Sequence, residues 1–195
     1  SKGAGVTHTS IMCAQTLALD YKIAILELNN NRHYEDIYHL LNEDEDDAEA
    51  ETFSISGVDY YFNMTYEDFV SSYKDLYDFV VIDFGVYDLK ENKDAFNRVN
   101  IKMIATSGAD WSLMELHRFT ERVQEVDVNN SFIYMVPLLT NKMLGGIRQL
   151  CGGCKVYSVP YSINPFEPDD EIIFLFRELI GMGNRRRRKG LFGRK

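Results

Sequence analysis

Apolar residues recur along this chain in two rhythms, short β-branched runs of strand length and longer stretches with helical spacing. The strand-like runs are Lys22–Leu28, Asp78–Phe84, Ile101–Thr106, Ser131–Val136 and Lys155–Val159. Between them, helical spacing predicts helices over Thr9–Leu19, His33–Leu41, Tyr66–Leu76, Trp111–Val126, Lys142–Leu150 and Glu171–Ile180. Strands this continuously apolar, alternating with helices, belong in a parallel sheet covered on both faces. The expected fold is therefore α/β, a doubly wound and mainly parallel sheet. Thr52–Ser56 and Val58–Asn63 flank Gly57 and are expected to form either an edge hairpin or one bent strand. The acidic run Asn42–Glu51 has no apolar anchor and reads as a solvated loop rather than a metal site.

Composition narrows this picture. A chain of 195 residues, 45% of them hydrophobic, can bury one substantial core. The expected organisation is one nucleotide-binding-type domain over residues 1–183 and a basic tail over 184–195. No long apolar run and no signal-peptide pattern is seen, and three cysteines (Cys13, Cys151, Cys154) suit a reducing compartment, so a cytoplasmic location is expected. The net charge of −9 hides an asymmetry, because Arg185, Arg186, Arg187, Arg188, Lys189, Arg194 and Lys195 supply seven positive charges at the end. Without them the body carries about −16. So acidic a surface repels phosphates, which argues against nucleic-acid binding by the body and confines any polyanion contact to the tail.

Chemistry concentrates near the start. Gly3, Ala4, Gly5, Val6, Thr7, His8, Thr9 and Ser10 precede a helical stretch, and the strand KIAILEL follows. A glycine-rich loop opening a helix presents backbone N–H groups and the positive end of the helix dipole to an anion. Further on, YDFVVIDF is an apolar strand ending in Asp83, the placement needed to hold Mg²⁺ directly or through water. The plainer readings are a helix-capping turn with Thr7 or Thr9 as cap, and an ordinary strand-end carboxylate.

The order of loop, helix, ILELN, YDFVVIDFG and VPYSINPFEPDD resembles the MinD/ParA family of deviant Walker A ATPases, including its CpaE/TadZ branch associated with pilus assembly. Laid over that family's KGGVGKT loop, only Gly5, Val6 and Thr9 match. Gly3 stands at the signature lysine that reaches across a dimer, Ala4 at a glycine, Thr7 at the last glycine, His8 at the phosphate-loop lysine and Thr9 at the Mg²⁺ ligand. Histidine is shorter and mostly neutral at pH 7, so weakened phosphate binding and hydrolysis are implied. Where the family carries D-x-D after its second strand, this chain has Glu27 and Asn29, and asparagine lacks the carboxylate charge. The resemblance implies ATP or ADP with Mg²⁺ on Thr9 and Asp83, an approach of the nucleotide base to Pro160, and a homodimer. Asn141 is a further candidate for a base contact. The family also places a central strand ahead of the loop. Here that strand is expected to be missing from the sequence, or supplied by an upstream segment or another chain.

Other constellations read more plainly. Cys151-Gly-Gly-Cys154 has the spacing of half a zinc site or a redox pair, but lacks further ligands and reads as a glycine turn. His8, His33, His39 and His117 show no metal spacing, and no Ser/His/Asp set is evident. The tail NRRRRKGLFGRK resembles the basic amphipathic end of MinD proteins, which implies contact with an anionic membrane surface at the inner face of the cell membrane. Nonspecific DNA contact and partner docking are its alternatives. Two functions stay open: a nucleotide-binding protein with weak or no ATPase activity that positions or assembles a membrane-associated, pilus or secretion machine, and a pseudo-ATPase scaffold that binds a protein partner without nucleotide.

Overall fold

The computed structural model describes residues 3–42, 50–87, 92–123 and 131–181; most of the acidic run and the whole basic tail lie outside these residues. In chain order the elements are α1 (Val6–Ala18), β1 (Ile23–Glu27), α2 (His33–Leu41), β2 (Thr52–Ile55), β3 (Val58–Tyr61), α3 (Tyr66–Ser72) with a 3₁₀ turn at Lys74–Leu76, β4 (Phe79–Asp83), α4 (Lys93–Arg98), β5 (Met103–Ala105), α5 (Asp110–Val123), β6 (Ile133–Pro137), α6 (Asn141–Leu150), β7 (Lys155–Val159) and α7 (Asp170–Leu179). The fold is α/β and doubly wound, as the apolar runs require.

Alternation along each strand explains the two covered faces. Ile23 and Ile25 of β1, with Ile133 and Met135 of β6, pack in one core with Ile11, Cys13 and Leu17 of α1, Tyr34 of α2 and Ile172 and Phe176 of α7. The alternate residues Ala24 and Leu26 face a second core with Phe69 of α3 and Ala95 of α4. Phe132, Tyr134 and Val136 face a third core with Leu116 of α5 and Ile147 of α6. Strands buried on both faces carry no polar alternation, which is why the sequence reads as unbroken apolar runs.

Side chains close several helices where the sequence places them. Thr65 accepts from Asp68 N at 3.1 Å ahead of α3, and Asp169 accepts from Ile172 N at 3.0 Å ahead of α7. Ser56 and Gly57, both with positive φ, form the two-residue turn joining antiparallel β2 and β3. That hairpin is not wholly at the edge: β2 is the edge strand, while β3 also pairs in parallel with β1. Helix α1 starts at Val6 rather than Thr9, so Val6–Ser10 form its first turns and Gly5, in the left-handed region at φ 80°, is its N-cap. Helix α4 is too short to leave a periodic signature in the sequence.

Among the described residues the strands form two sheets. Four are ordered β2-β3-β1-β4 and three β5-β6-β7, with β1 parallel to β4 and all pairs of the second sheet parallel. Helix α1 lies over both, touching β1, β4 and β5. Between β4 and β5 runs a slot of about 640 Å³, walled by Cys13 and Leu17 on the α1 side and by Phe69, Phe96 and Phe119 on the other.

Candidate functional site

The polar residues singled out near the start converge at the carboxyl ends of β1 and β4. Gly3 and Gly5 both adopt φ 80°, the left-handed region that glycine tolerates, and open space surrounds each. Ala4 between them is buried, while Val6, Thr7, His8, Thr9 and Ser10 are half-buried. The first turn of α1 therefore leaves its amide N–H groups without intrahelical partners beside an exposed glycine turn, the arrangement in which a phosphate is bound. Thr7 Oγ1 lies 3.1 Å from His33 Nδ1, which ties the start of α1 to the start of α2.

At the carboxyl ends of β1 and β4 sits a largely buried polar cluster. Asp83, with no exposed surface, accepts from Gly85 N at 2.8 Å and from Asn29 Nδ2 at 3.3 Å on one oxygen, and from the Tyr34 hydroxyl at 3.4 Å on the other. Asn29 Nδ2 also reaches the Asp83 carbonyl at 3.0 Å. Gly85 is required here twice over: its φ is 61°, and an added Cβ would fall 2.8 Å from Asn29 Cβ. Glu27 accepts from the backbone N–H groups of His33 at 3.1 Å and Tyr34 at 3.2 Å, so its carboxylate caps the positive end of α2.

Burial pushes the Glu27 carboxyl above its ordinary value, the two backbone N–H bonds pull it part of the way back, and the neighbouring Asp83 charge raises it again. Burial, followed by the charges of Asp83 and Glu27, drives the Tyr34 phenol well above its ordinary value, so it stays a hydroxyl donor. A carboxyl whose folded value is raised favours folding when protonated. That contribution is fully present below the unfolded value near 4.5 and is lost as pH rises through the folded value. Glu27→Gln is accordingly expected to flatten this part of the pH–stability profile. Urea unfolding from about pH 4 to pH 7 checks it, and an unchanged profile would show that Glu27 does not titrate in this range.

The structure thus brings Glu27, Asn29 and Asp83 together, with Thr7 linked through His33. Thr9 faces the slot between the sheets alongside Gly85. Both Asp83 oxygens serve protein donors, so the carboxylate ties Gly85, Asn29 and Tyr34 together. Among the described residues no group of three or more His, Cys, Asp or Glu side chains is placed to hold a metal ion. Pro160 follows β7, at the carboxyl end of the other sheet. Tyr34 escaped the sequence reading, because a tyrosine in a helix carries no signal that its hydroxyl will meet a carboxylate 49 residues away. Cys151 and Cys154 flank a glycine turn after α6 and are both buried. Burial pushes Cys151 up to about 12, which keeps it a protonated core side chain.

The chain is a doubly wound α/β domain with a glycine turn at the head of α1. Among solved structures the chain resembles a plasmid partition protein of Borrelia burgdorferi bound to AMPPNP, with 15% identity, 93% of each chain covered and a TM-score of 0.61. It resembles equally the MinC:MinD cell division protein complex of Aquifex aeolicus, at 15% identity, 93% of each chain and a TM-score of 0.64. A Cyanothece McdA variant in complex with ATP matches at 14% identity, 93% of each chain and a TM-score of 0.61. Identities this low define the shared fold. No family model matches the sequence, and no curated protein matches it.

Proposed function

We propose that this chain is a MinD/ParA-type nucleotide-binding protein with weak or no ATPase activity, of the CpaE/TadZ-like branch, that positions or assembles a membrane-associated, pilus or secretion machine. The observation that carries this reading is the glycine turn with left-handed Gly3 and Gly5 at the head of α1, which Thr7 and His33 link to the polar residues Glu27, Asn29 and Asp83 at the carboxyl ends of β1 and β4. ATP or ADP fits there through its phosphates: the N–H groups of the turn and of the first helical turn face an anion without needing a side-chain charge. Bound Mg²⁺ would supply charge neutralisation at the phosphates. Thr9 offers the hydroxyl ligand, while Asp83, engaged by Gly85, Asn29 and Tyr34, contributes negative charge behind it.

Hydrolysis is weakened by the residues present. Gly3 and His8 stand where the family carries lysines, so no fixed cation meets charge developing on the transferred phosphate. Asn29 brings an amide that is already committed to Asp83. His8→Lys restores one such cation, and a charge-assisted hydrogen bond of about 1.5–3 kcal/mol corresponds to roughly ten- to hundredfold tighter ATP binding. Calorimetry with ATP and ADP in Mg²⁺, with phosphate release measured on the same sample, tests both points. Binding with little turnover supports the proposal. No binding at millimolar nucleotide, with unchanged affinity in a folded His8→Lys chain, rejects it.

A pseudo-ATPase scaffold is the second reading, and the three protein donors engaged by Asp83 favour it. In that case the polar cluster serves stability alone, and the same calorimetry returns no heat. In the first reading the protein acts as a homodimer in the cytoplasm, held at the inner face of the membrane by residues 184–195, with protein components of the machine as partners. No helix among the described residues is long and apolar enough to cross a membrane.

A further inference from the structure

We propose that His33 is the cation of the anion site at the head of α1, taking up a proton when a phosphate binds and turning the hydrogen of the Thr7 hydroxyl toward it. The inference rests on the nucleotide reading above and adds to it a residue outside the glycine turn. Nothing fixed and positive stands on α1 itself: between Val6 and Ala18 its ionisable side chains are His8 and Cys13. His33, the first residue of α2, is exposed and puts Nδ1 3.1 Å from Thr7 Oγ1 in the first turn of α1. The residue is anchored through its own backbone, because His33 N donates to Glu27 Oε1 at 3.1 Å. The adjacent cation, Arg32, is engaged by Glu35, to which Asn63 Nδ2 also donates at 3.3 Å. Of the two, His33 is the one that reaches α1.

The chemistry follows from hydrogen-bond valence. A threonine hydroxyl has one hydrogen to donate and two lone pairs with which to accept. Beside a neutral ring the Thr7 hydrogen can be engaged by a bare Nδ1. An imidazolium carries hydrogen on both nitrogens, so its Nδ1 can only donate. Thr7 Oγ1 then accepts from the ring, and its own hydrogen is left for an anion beside the N–H groups of the first helical turn. The proton comes from solvent, no bond to phosphorus changes, and the chain from His33 through Thr7 to the phosphate is charge-assisted. The surroundings favour the charged ring. From β1 the Glu27 carboxylate faces His33, with Asp83 behind it; along its own loop and helix stand Arg32, Glu35, Asp36 and His39, and from α1 His8. Arg32 and Glu35 offset each other, which leaves the balance negative even before a phosphate adds its charge. Histidine changes charge between about pH 5 and 8, so such a site tightens as pH falls, whereas a lysine in the same place stays charged throughout.

The test is calorimetry of Mg²⁺–ATP binding at about pH 6, 7 and 8, each in two buffers of different ionisation heat, which reads affinity and proton uptake together. At the lowest pH the full chain is expected to bind about five- to tenfold more tightly than His33→Gln, and at the highest within about twofold of it. Midway, it is expected to take up a larger fraction of a proton than the variant. His8 and the nucleotide titrate in both chains, so the difference between them reads His33. Thr7→Val is expected to match His33→Gln, and Thr7→Ser, which keeps the hydroxyl, to match the full chain. Nitrogen NMR of the histidine rings in the full chain needs no variant to fold, and ATP is expected to move His33 toward its doubly protonated form. Equal affinity and equal proton uptake in the full chain and His33→Gln overturn the proposal while leaving nucleotide binding in place. So does a pH dependence that survives in Thr7→Val, which would set His33 acting without the hydroxyl. No ATP binding by the full chain at any of these pH values rejects the nucleotide reading and this inference with it.

Discussion

Asp83→Ala is expected to lower stability by about 3 kcal/mol, because it removes the acceptor of one buried and one half-buried donor at once, at roughly 1–3 kcal/mol each. The Gly85 N–H and the Tyr34 hydroxyl lose their acceptor, whereas Asn29 keeps the Asp83 carbonyl. Asp83 is fully buried, and Tyr34 likewise, so water does not reach the phenol without opening the core. The Tyr34 share is separable by a double-mutant cycle: in a Tyr34→Phe background the alanine substitution is expected to cost less by about 1 kcal/mol. Urea unfolding of the four chains measures it. A loss below about 0.5 kcal/mol for Asp83→Ala, with no coupling to Tyr34, would mean that the cluster is solvated and that Asp83 is free for another role.

Deletion of Arg185–Lys195 has the larger expected effect on binding. Each cation near an anionic leaflet is worth about 1 kcal/mol, so seven set an upper bound near 7 kcal/mol, or about five orders of magnitude in partitioning. Leu191 and Phe192 add shallow insertion, but two apolar side chains hold weakly by themselves, so dimerisation would multiply the effect through avidity. Sedimentation with vesicles rich in anionic lipid is expected to capture the full chain, lose it on deletion, and lose it also when the lipid is neutral or the salt is raised. Binding that survives the deletion refutes the anchor. Capture by duplex DNA but not by vesicles would assign the tail to nucleic acid instead.

The sequence by itself determined the layers of this protein. Runs such as KIAILEL and FVVID have the length and continuous apolarity of strands buried on both faces, and the intervening periodicity of 3.6 located the helices that cover them; local burial demand decides both, so both are legible in one dimension. It also located the glycine turn, since only glycine adopts φ 80° freely at Gly3 and Gly5. Helix α4, the helical start at Val6 and the inner position of β3 needed the folded chain, because short elements leave no period and strand neighbours are chosen by packing across the sheet rather than by sequence proximity. The same holds for the site. Glu27, Asn29 and Asp83 were visible as polar ends of apolar strands, but only the tertiary structure decided that Tyr34 closes over Asp83, that both of its oxygens serve protein donors, and that β4 and β5 stand apart around a slot. Hydrogen-bond partners and sheet order depend on contacts between residues far apart in the chain, and no pattern within a single segment encodes them.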